Sequence, residues 1–71
     1  MSQLKIEFGK RLQYLRKQAN LTQEQLADKI DLTVESVSNI ERGIHAPKFD
    51  NLEKIAHVLD ADVKNLFDFN S

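Results

Sequence analysis

Residues 21–43, LTQEQLADKIDLTVESVSNIERG, decide the fold of this chain, because two helix starts and one helix end can be located in them. Thr22 is a residue type that caps helix N-termini, and Gln25 follows at the spacing of a capping box. The two ends of a hydrophobic staple flank this cap, Leu21 and Leu26. These features together predict a helix that begins after Thr22 and runs to about Ile30.

A second helix start follows after a short turn made by two residues, Asp31 and Leu32. Thr33 is the next N-cap residue, and Leu32 and Val37 form its hydrophobic staple. Gly43 ends this helix, because glycine readily adopts the left-handed conformation found just past many helices. The segment from 22 to 42 therefore predicts two helices that cross at a large angle, so that the second can project from the body.

Apolar residues continue at helical spacing on both sides of this segment. One stripe precedes it: Leu4, Phe8, Leu12, Leu15 and Ala19. Another follows it: Leu52, Ile55, Ala56 and Leu59. We expect Asn20 to end the first helix, the fourth helix to start within 48–50, and Asp62 to cap a short fifth helix. Since no period-2 run is long enough for a strand, we predict an all-α fold of five helices, one domain over 1–71 with its core at about 4–67.

Composition excludes several classes of protein. The chain has 71 residues and no cysteine, so it has no disulfide or thiolate site, and stability must come from packing, oligomerisation or both. No apolar run approaches the ~18 residues of a membrane span, and the N-terminus lacks a signal-peptide core. We expect a cytoplasmic protein. His45 and His57 alone make a poor metal site, and we expect no metal and no cofactor.

The net charge of −1 conceals an asymmetry along the chain. Residues 1–49 carry 8 Lys or Arg against 6 Asp or Glu, a balance of +2. Residues 50–71 carry 2 against 5, a balance of −3. A mildly basic body with an acidic tail is compatible with DNA binding and is weak evidence for it.

The third helix presents short and polar side chains on its predicted outer face: Val34, Glu35, Ser36, Ser38 and Asn39. Side chains of this kind read base edges or phosphates, and an α-helix fits the major groove of DNA. Catalysis would require a pocket, and nothing in the sequence positions Ser36 and His45 with an aspartate as a triad. We therefore expect a binding protein and no enzyme.

The sequence resembles the phage-repressor-like (Xre-type, Cro and lambda-repressor-like) helix-turn-helix regulators. The matching residues span about 4–67 and are specific as a set: Arg16, the run LTQEQLA at 21–27, Val37, the run IERG at 40–43, Pro47 and the run LEKIA at 52–56. The resemblance implies a compact five-helix lambda-repressor-like domain and an ion pair between Arg16 and Glu41. The family often has glycine where this chain has Asp31, which we expect to take the left-handed conformation at a small cost.

The resemblance also implies a DNA-binding role for particular side chains. Thr22 and Gln23, at the start of the second helix, would contact the DNA backbone. The helix at about 33–42 would enter the major groove and read bases or phosphates through a set of side chains: Thr33, Val34, Glu35, Ser36, Ser38 and Asn39. Arg42 and Lys48 would neutralise phosphates. Glu35 would repel phosphates, weakening non-specific binding and sharpening the choice of site.

Large apolar residues near the C-terminal half favour a homodimer that binds an inverted repeat in double-stranded DNA. The predicted interface is formed by the fifth helix and the loop before the fourth: Ile44, Phe49, Val63 and Phe67. In the simpler alternative, Phe67 completes the core and Phe69 lies in a frayed end. Two recognition helices would reach half-sites about 34 Å apart.

The sequence leaves several functions open. A small member of this family could be a phage-type repressor, a controller of a restriction-modification operon or an antitoxin, and no small-molecule ligand is evident. The competing hypothesis is a protein-interaction module with little DNA affinity of its own. It is favoured by the near-neutral charge and the acidic tail.

Overall fold

The computed structural model describes residues 3–70, in which five helices follow one another. They are α1 (Gln3–Gln18), α2 (Gln23–Lys29), α3 (Val34–Glu41), α4 (Phe49–Val58) and α5 (Val63–Leu66). No strand occurs in this part of the chain, and the predicted all-helical fold is confirmed. α2 packs against α3, α1 contacts both α3 and α5, and α4 contacts α5. None of the helices within 3–70 is long and apolar enough to cross a bilayer.

The same backbone turn ends each of the first four helices. The residue just past the helix has a positive φ, with values of 60° at Asn20, 59° at Asp31, 79° at Gly43 and 54° at Asp60. The next N–H then donates to a carbonyl five residues back, as from Leu21 to Arg16 at 3.1 Å. This is the hydrogen bond of a Schellman motif. The helix ends predicted at Asn20 and Gly43 are confirmed, and Asp31 takes the expected left-handed conformation.

Of the four helices α2 to α5, two have a side-chain cap at the N-terminus and two do not. Thr22 Oγ1 accepts the N–H of Gln25 at 3.0 Å, and the Gln25 side chain accepts the N–H of Thr22 at 2.9 Å, so the capping box is confirmed. Thr33 Oγ1 caps α3 in the same way. Asp62 occupies the N-cap position of α5, but its side chain makes no capping hydrogen bond. The cap predicted at Asp62 is therefore wrong as a side-chain cap.

The buried core draws on all five helices. It consists of eleven apolar residues: Phe8, Leu12, Leu26, Ala27, Ile30, Val37, Ile40, Leu52, Ile55, Ala56 and Leu66. The predicted stripe of α1 is confirmed only in its middle, because Leu4 and Ala19 are exposed where the long helix extends past the core at both ends. Phe69, predicted to fray in the simpler alternative, is half-buried and packs against the core. Residues 1, 2 and 71, beyond the predicted core at about 4–67, lie outside the described part of the chain.

Gly9 allows α1 and α3 to approach closely. It is buried in the middle of α1, and a Cβ atom built on it would lie 2.5 Å from the carbonyl oxygen of Ile40 and 2.6 Å from that of Glu41. Both neighbours are backbone atoms of α3, which cannot rotate away as a side-chain end could. Glycine inside a helix lowers stability by about 1 kcal/mol relative to alanine. At this position the close packing of α1 against α3 offsets that loss of stability.

We predict that Gly9→Ala lowers the free energy of unfolding by about 2 kcal/mol, although helix propensity alone would favour alanine. The added methyl group forces the backbone of α3 away from α1. The measurement is urea unfolding followed by circular dichroism, with Lys10→Ala at the exposed neighbouring position as control. An increase in stability on Gly9→Ala would show that the two helices separate without cost.

Candidate nucleic-acid interface

α3 has one face anchored in the protein and the opposite face open. Val37, Ile40 and Glu41 are buried. Glu35, Asn39 and Arg42 follow the i, i+4, i+7 spacing of a single helix face on the other side. Glu35 and Arg42 are exposed, and Asn39 is half-buried. The polar face of the predicted recognition helix is therefore presented to the outside and is not packed in the interior.

Smaller side chains border this open face. Val34, at the first position of α3, is 46% exposed, which leaves its methyl groups accessible for an apolar contact. Ser38 and Ser36 lie on either flank and are half-buried. The sequence placed both serines fully outward, and the structure shows them at the edges of the face, where neighbouring elements cover part of each side chain.

Thr33 and Ser36 are linked to each other through their hydroxyl groups. Thr33 Oγ1 accepts the backbone N–H of Ser36 and donates its own proton to Ser36 Oγ, both at 3.0 Å. The hydroxyl proton of Thr33 is thus already used, whereas that of Ser36 is available to an external acceptor. Thr22, at the start of α2, is exposed and uses its oxygen for the cap, which leaves its hydroxyl proton free as well.

A buried ion pair joins α1 to α3 behind the open face. Arg16 Nε donates to Glu41 Oε2 at 2.6 Å, and Arg16 Nη2 donates to Glu41 Oε1 at 3.1 Å. The remaining guanidinium nitrogen, Nη1, donates to the carbonyl oxygen of Leu21 at 2.7 Å, in the turn between α1 and α2. The predicted pair between Arg16 and Glu41 is confirmed. Its bidentate geometry fixes both orientation and distance.

Gln23 is tied to the same carboxylate, a contact that sequence reasoning missed. Gln23 Nε2 donates to Glu41 Oε1 at 3.0 Å, and the side chain is half-buried. Because Gln23 is the first residue of α2 and Glu41 the last of α3, this bond joins one end of the helix-turn-helix to the other. Spacing in sequence gives no signal for such a contact, because it depends on the angle between two helices.

Basic side chains stand at the C-terminal end of the open face. Arg42 is the C-cap residue of α3, Lys48 is the N-cap residue of α4, and both are exposed. Among residues 3–70, neither side chain has a hydrogen-bond or ion-pair partner. Lys48 also lines an open groove beside α3 together with Ser36, His45 and Asn51. Asn51 was not singled out by the sequence, because it belongs to a helix recognised there only by its apolar stripe.

The residues predicted for a dimer interface are exposed apolar side chains. Phe49 is 84% exposed, and Ile44, Val63 and Phe67 are each more than a third exposed. Phe67 also contacts the buried Phe8, with ring centroids 5.1 Å apart and the rings tilted by 38°, but it is itself exposed and does not complete the core, as the simpler alternative required. An apolar groove of about 190 Å³ lies beside Phe49, with walls that include Leu4, Phe8, Pro47 and Phe67.

Comparison with known proteins agrees with this geometry. A family model described as helix-turn-helix matches residues 12–64. Control protein C.BamHI of Bacillus amyloliquefaciens is 36% identical over 69 residues, which cover 96% of this chain and 85% of that protein. The crystal structure of the restriction-modification controller protein C.AhdI from Aeromonas hydrophila has 36% identity and a TM-score of 0.85, over 89% of this chain and 91% of the other. SinR, solved in complex with DNA, has 34% identity and a TM-score of 0.80, over 86% and 98%.

Two helices joined by a tight turn, with the second presenting an open polar face, define a helix-turn-helix protein. The chain belongs to the helix-turn-helix family of phage-repressor-like (Xre-type) proteins, and the resemblance stated from its sequence is confirmed. It is a DNA-binding transcriptional regulator. The DNA contacts of individual residues stay predictions.

We predict that Arg16→Met alone lowers the free energy of unfolding by about 3–5 kcal/mol, because it leaves the Glu41 carboxylate buried without its cation. The double variant Arg16→Met with Glu41→Leu should lie within about 1 kcal/mol of the parent, because apolar residues then replace both charges. Chemical unfolding of the three proteins measures this. A double variant as unstable as the single one would show that the pair contributes a hydrogen-bonding role that packing cannot replace.

Proposed function

We propose that this protein binds a specific operator in double-stranded DNA as a homodimer, with α3 in the major groove of each half-site, and that it controls a restriction-modification operon. The observation that carries the DNA-binding mode is the anchored inner face of α3 combined with its open polar outer face. A helix held in this way can enter the groove without rearrangement of the domain. The proposed role is one of binding, in the cytoplasm, and not of catalysis.

The side chains on the open face of α3 would each make a different contact with the DNA. Val34 would contact a thymine methyl group, and Glu35 would accept a hydrogen bond from a cytosine amino group. Asn39 would contact a base through its amide, and Ser36 would donate its free hydroxyl proton to a base or a phosphate. Within the described part of the chain, the side chains of these residues make no hydrogen bond that would have to be broken before DNA binds, apart from the one that Ser36 accepts.

Other residues would hold the DNA backbone. Arg42 and Lys48 are exposed cations at the end of α3 and the start of α4, and each phosphate they neutralise adds about 0.9 to the slope of affinity against salt concentration. Gln23 and Thr22 would bind the backbone from the start of α2. Contacts of this kind position the protein on the duplex and carry no sequence information directly.

The comparison supports the assignment to restriction-modification control. The control protein C.BamHI matches over almost the whole of this chain, and the restriction-modification controller protein C.AhdI is similar in both fold and sequence.

The exposed apolar surface supports the homodimer. Phe49 is 84% exposed and lines an apolar groove of about 190 Å³. In a two-fold symmetric interface each copy contributes the same surface, so the Phe49 ring of each copy would be covered by the other. Dimerisation would also place two recognition helices on one side of the DNA, as an inverted repeat requires.

We predict that Asn39→Ala weakens binding to a selected operator by about tenfold, because one bidentate base contact is worth about 1–3 kcal/mol. Binding to a scrambled duplex should change little. Fluorescence titration at two salt concentrations measures both, on the duplex recovered by selection from random DNA. Gln13→Ala, which removes an exposed amide from α1, is the control.

Two results of that titration would count against the proposal. If no duplex is enriched in the selection and binding is insensitive to salt, the chain is a protein-interaction module. If Asn39→Ala lowers affinity for operator and scrambled duplex alike, Asn39 contacts the backbone and does not read a base.

We predict that Phe49→Glu weakens dimerisation at least a hundredfold. The symmetric interface loses two buried rings, each worth about 1.5–3 kcal/mol, and gains two charges that face each other. Sedimentation equilibrium gives the dissociation constant of the dimer. Tyr14→Glu, at another exposed aromatic residue, should leave it unchanged. An unchanged mass distribution for Phe49→Glu would move the interface to another surface.

A further inference from the structure

The Gln23 side chain stands between the buried ion pair and the outside of the molecule. Its Nε2 lies 3.0 Å from Glu41 Oε1, and Glu41 is 8% exposed. The same carboxylate accepts two hydrogen bonds from Arg16, at 2.6 and 3.1 Å. The Gln23 side chain itself is only half-buried. One end of its amide is therefore fixed inside the protein while the rest of the group remains accessible.

The chemistry of the carboxylate fixes which way this amide points. A glutamine amide has a donor side and an acceptor side that can exchange by rotation about one bond. The carboxylate of an ion pair only accepts hydrogen bonds, and both oxygens of Glu41 accept from Arg16. The NH2 group of Gln23 must therefore face Glu41. Within residues 3–70 no partner is seen for its second N–H or its carbonyl oxygen, and both are left for an external partner.

This restraint matters because a free glutamine side chain has several rotamers. Ordering such a side chain at an interface costs free energy that lowers affinity. A bond to a buried carboxylate, which is itself held by α1, orders Gln23 before any partner arrives. The restraint also ties the first residue of α2 to the last residue of α3, so that the Gln23 amide keeps a constant distance from the recognition helix.

We propose that Glu41 is a positioning residue for DNA binding: it holds the Gln23 amide in the orientation that donates to a DNA phosphate, and Arg16 acts through it. This inference rests on the proposed function, since it requires that Gln23 contacts the DNA backbone. Glu41 touches no DNA itself. Its contribution to affinity passes through Gln23 and disappears when Gln23 is absent.

A double-mutant cycle tests the coupling. One background is the parent protein, and the other is the pair-free double variant, Arg16→Met with Glu41→Leu, whose stability is measured separately. Gln23→Ala is introduced into each, and affinity is measured for the selected operator and for a scrambled duplex. Lys48→Ala, which removes a proposed phosphate contact on α4, serves as the control in both backgrounds.

The expected loss on Gln23→Ala is about tenfold per half-site in the parent, equal for both duplexes, because one hydrogen bond to a charged acceptor is removed. In the pair-free background the loss should fall below about twofold, because the amide is no longer ordered. Lys48→Ala should lower the affinity for DNA by the same factor in both backgrounds. An equal loss on Gln23→Ala in both backgrounds overturns the positioning role alone. No loss in the parent removes Gln23 from the DNA contact and with it this part of the proposed function.

A second measurement uses the native protein and does not depend on the folding of any variant. In a nitrogen-15 spectrum, the two side-chain amide protons of Gln23 should be widely separated and slow to exchange, since one of them is bonded to a carboxylate. The exposed Gln13 provides the reference for a free amide. Amide protons of Gln23 that match those of Gln13 in shift and exchange rate would overturn the proposal.

Discussion

The buried contact between Arg16 and Glu41 is the interaction on which the geometry of this domain depends. A 71-residue chain without disulfides has a small core, so a directional polar contact adds to what apolar packing specifies for the short helices α2, α3 and α5. The Arg16 guanidinium reaches α3 and the α1–α2 turn at once. Since guanidinium and carboxylate meet in a planar, two-bond arrangement, the contact defines a direction as well as a distance. Close packing at Gly9 reinforces it, because α1 can then lie directly against the backbone of α3.

This anchoring from behind explains why the front of α3 can remain polar and open. A helix of eight residues is too short to be stable in isolation and must be held by its inner face. Val37 and Ile40 supply apolar contact, and Glu41 supplies a directional one. The charges of the pair cancel, so the electrostatic character of the outer face is set by the exposed side chains there. In the proposed complex, Arg42 would attract phosphate and Glu35 would repel it, which would favour binding that depends on the fit of the groove over binding by charge alone.

Local sequence signals made most of this fold predictable, whereas most contacts between helices could not be predicted from the sequence. The capping box at Thr22 and Gln25, the cap at Thr33 and the turn at Gly43 are interactions within a few residues, and each is confirmed. The Arg16–Glu41 pair was anticipated only through the family resemblance. The contact between Gln23 and Glu41 depends on a helix crossing angle that no spacing encodes. Gly9 did carry a signal, since a glycine inside a long amphipathic helix loses stability unless another backbone comes close.

The near-neutral charge of the chain places a limit on how such a domain can bind DNA. With a balance of +2 over residues 1–49, one copy offers few cations to a phosphate backbone, and non-specific attraction is weak. One recognition helix provides only a few base contacts, so a single domain would have both low affinity and low selectivity. In two copies joined through the surface around Phe49, the second domain would bind its half-site at a high effective concentration, because the interface holds it close to the first. This linkage would raise the affinity for DNA without any added charge. In the proposed dimer, pairing of the apolar surface around Phe49 would therefore contribute to DNA binding by the polar face of α3.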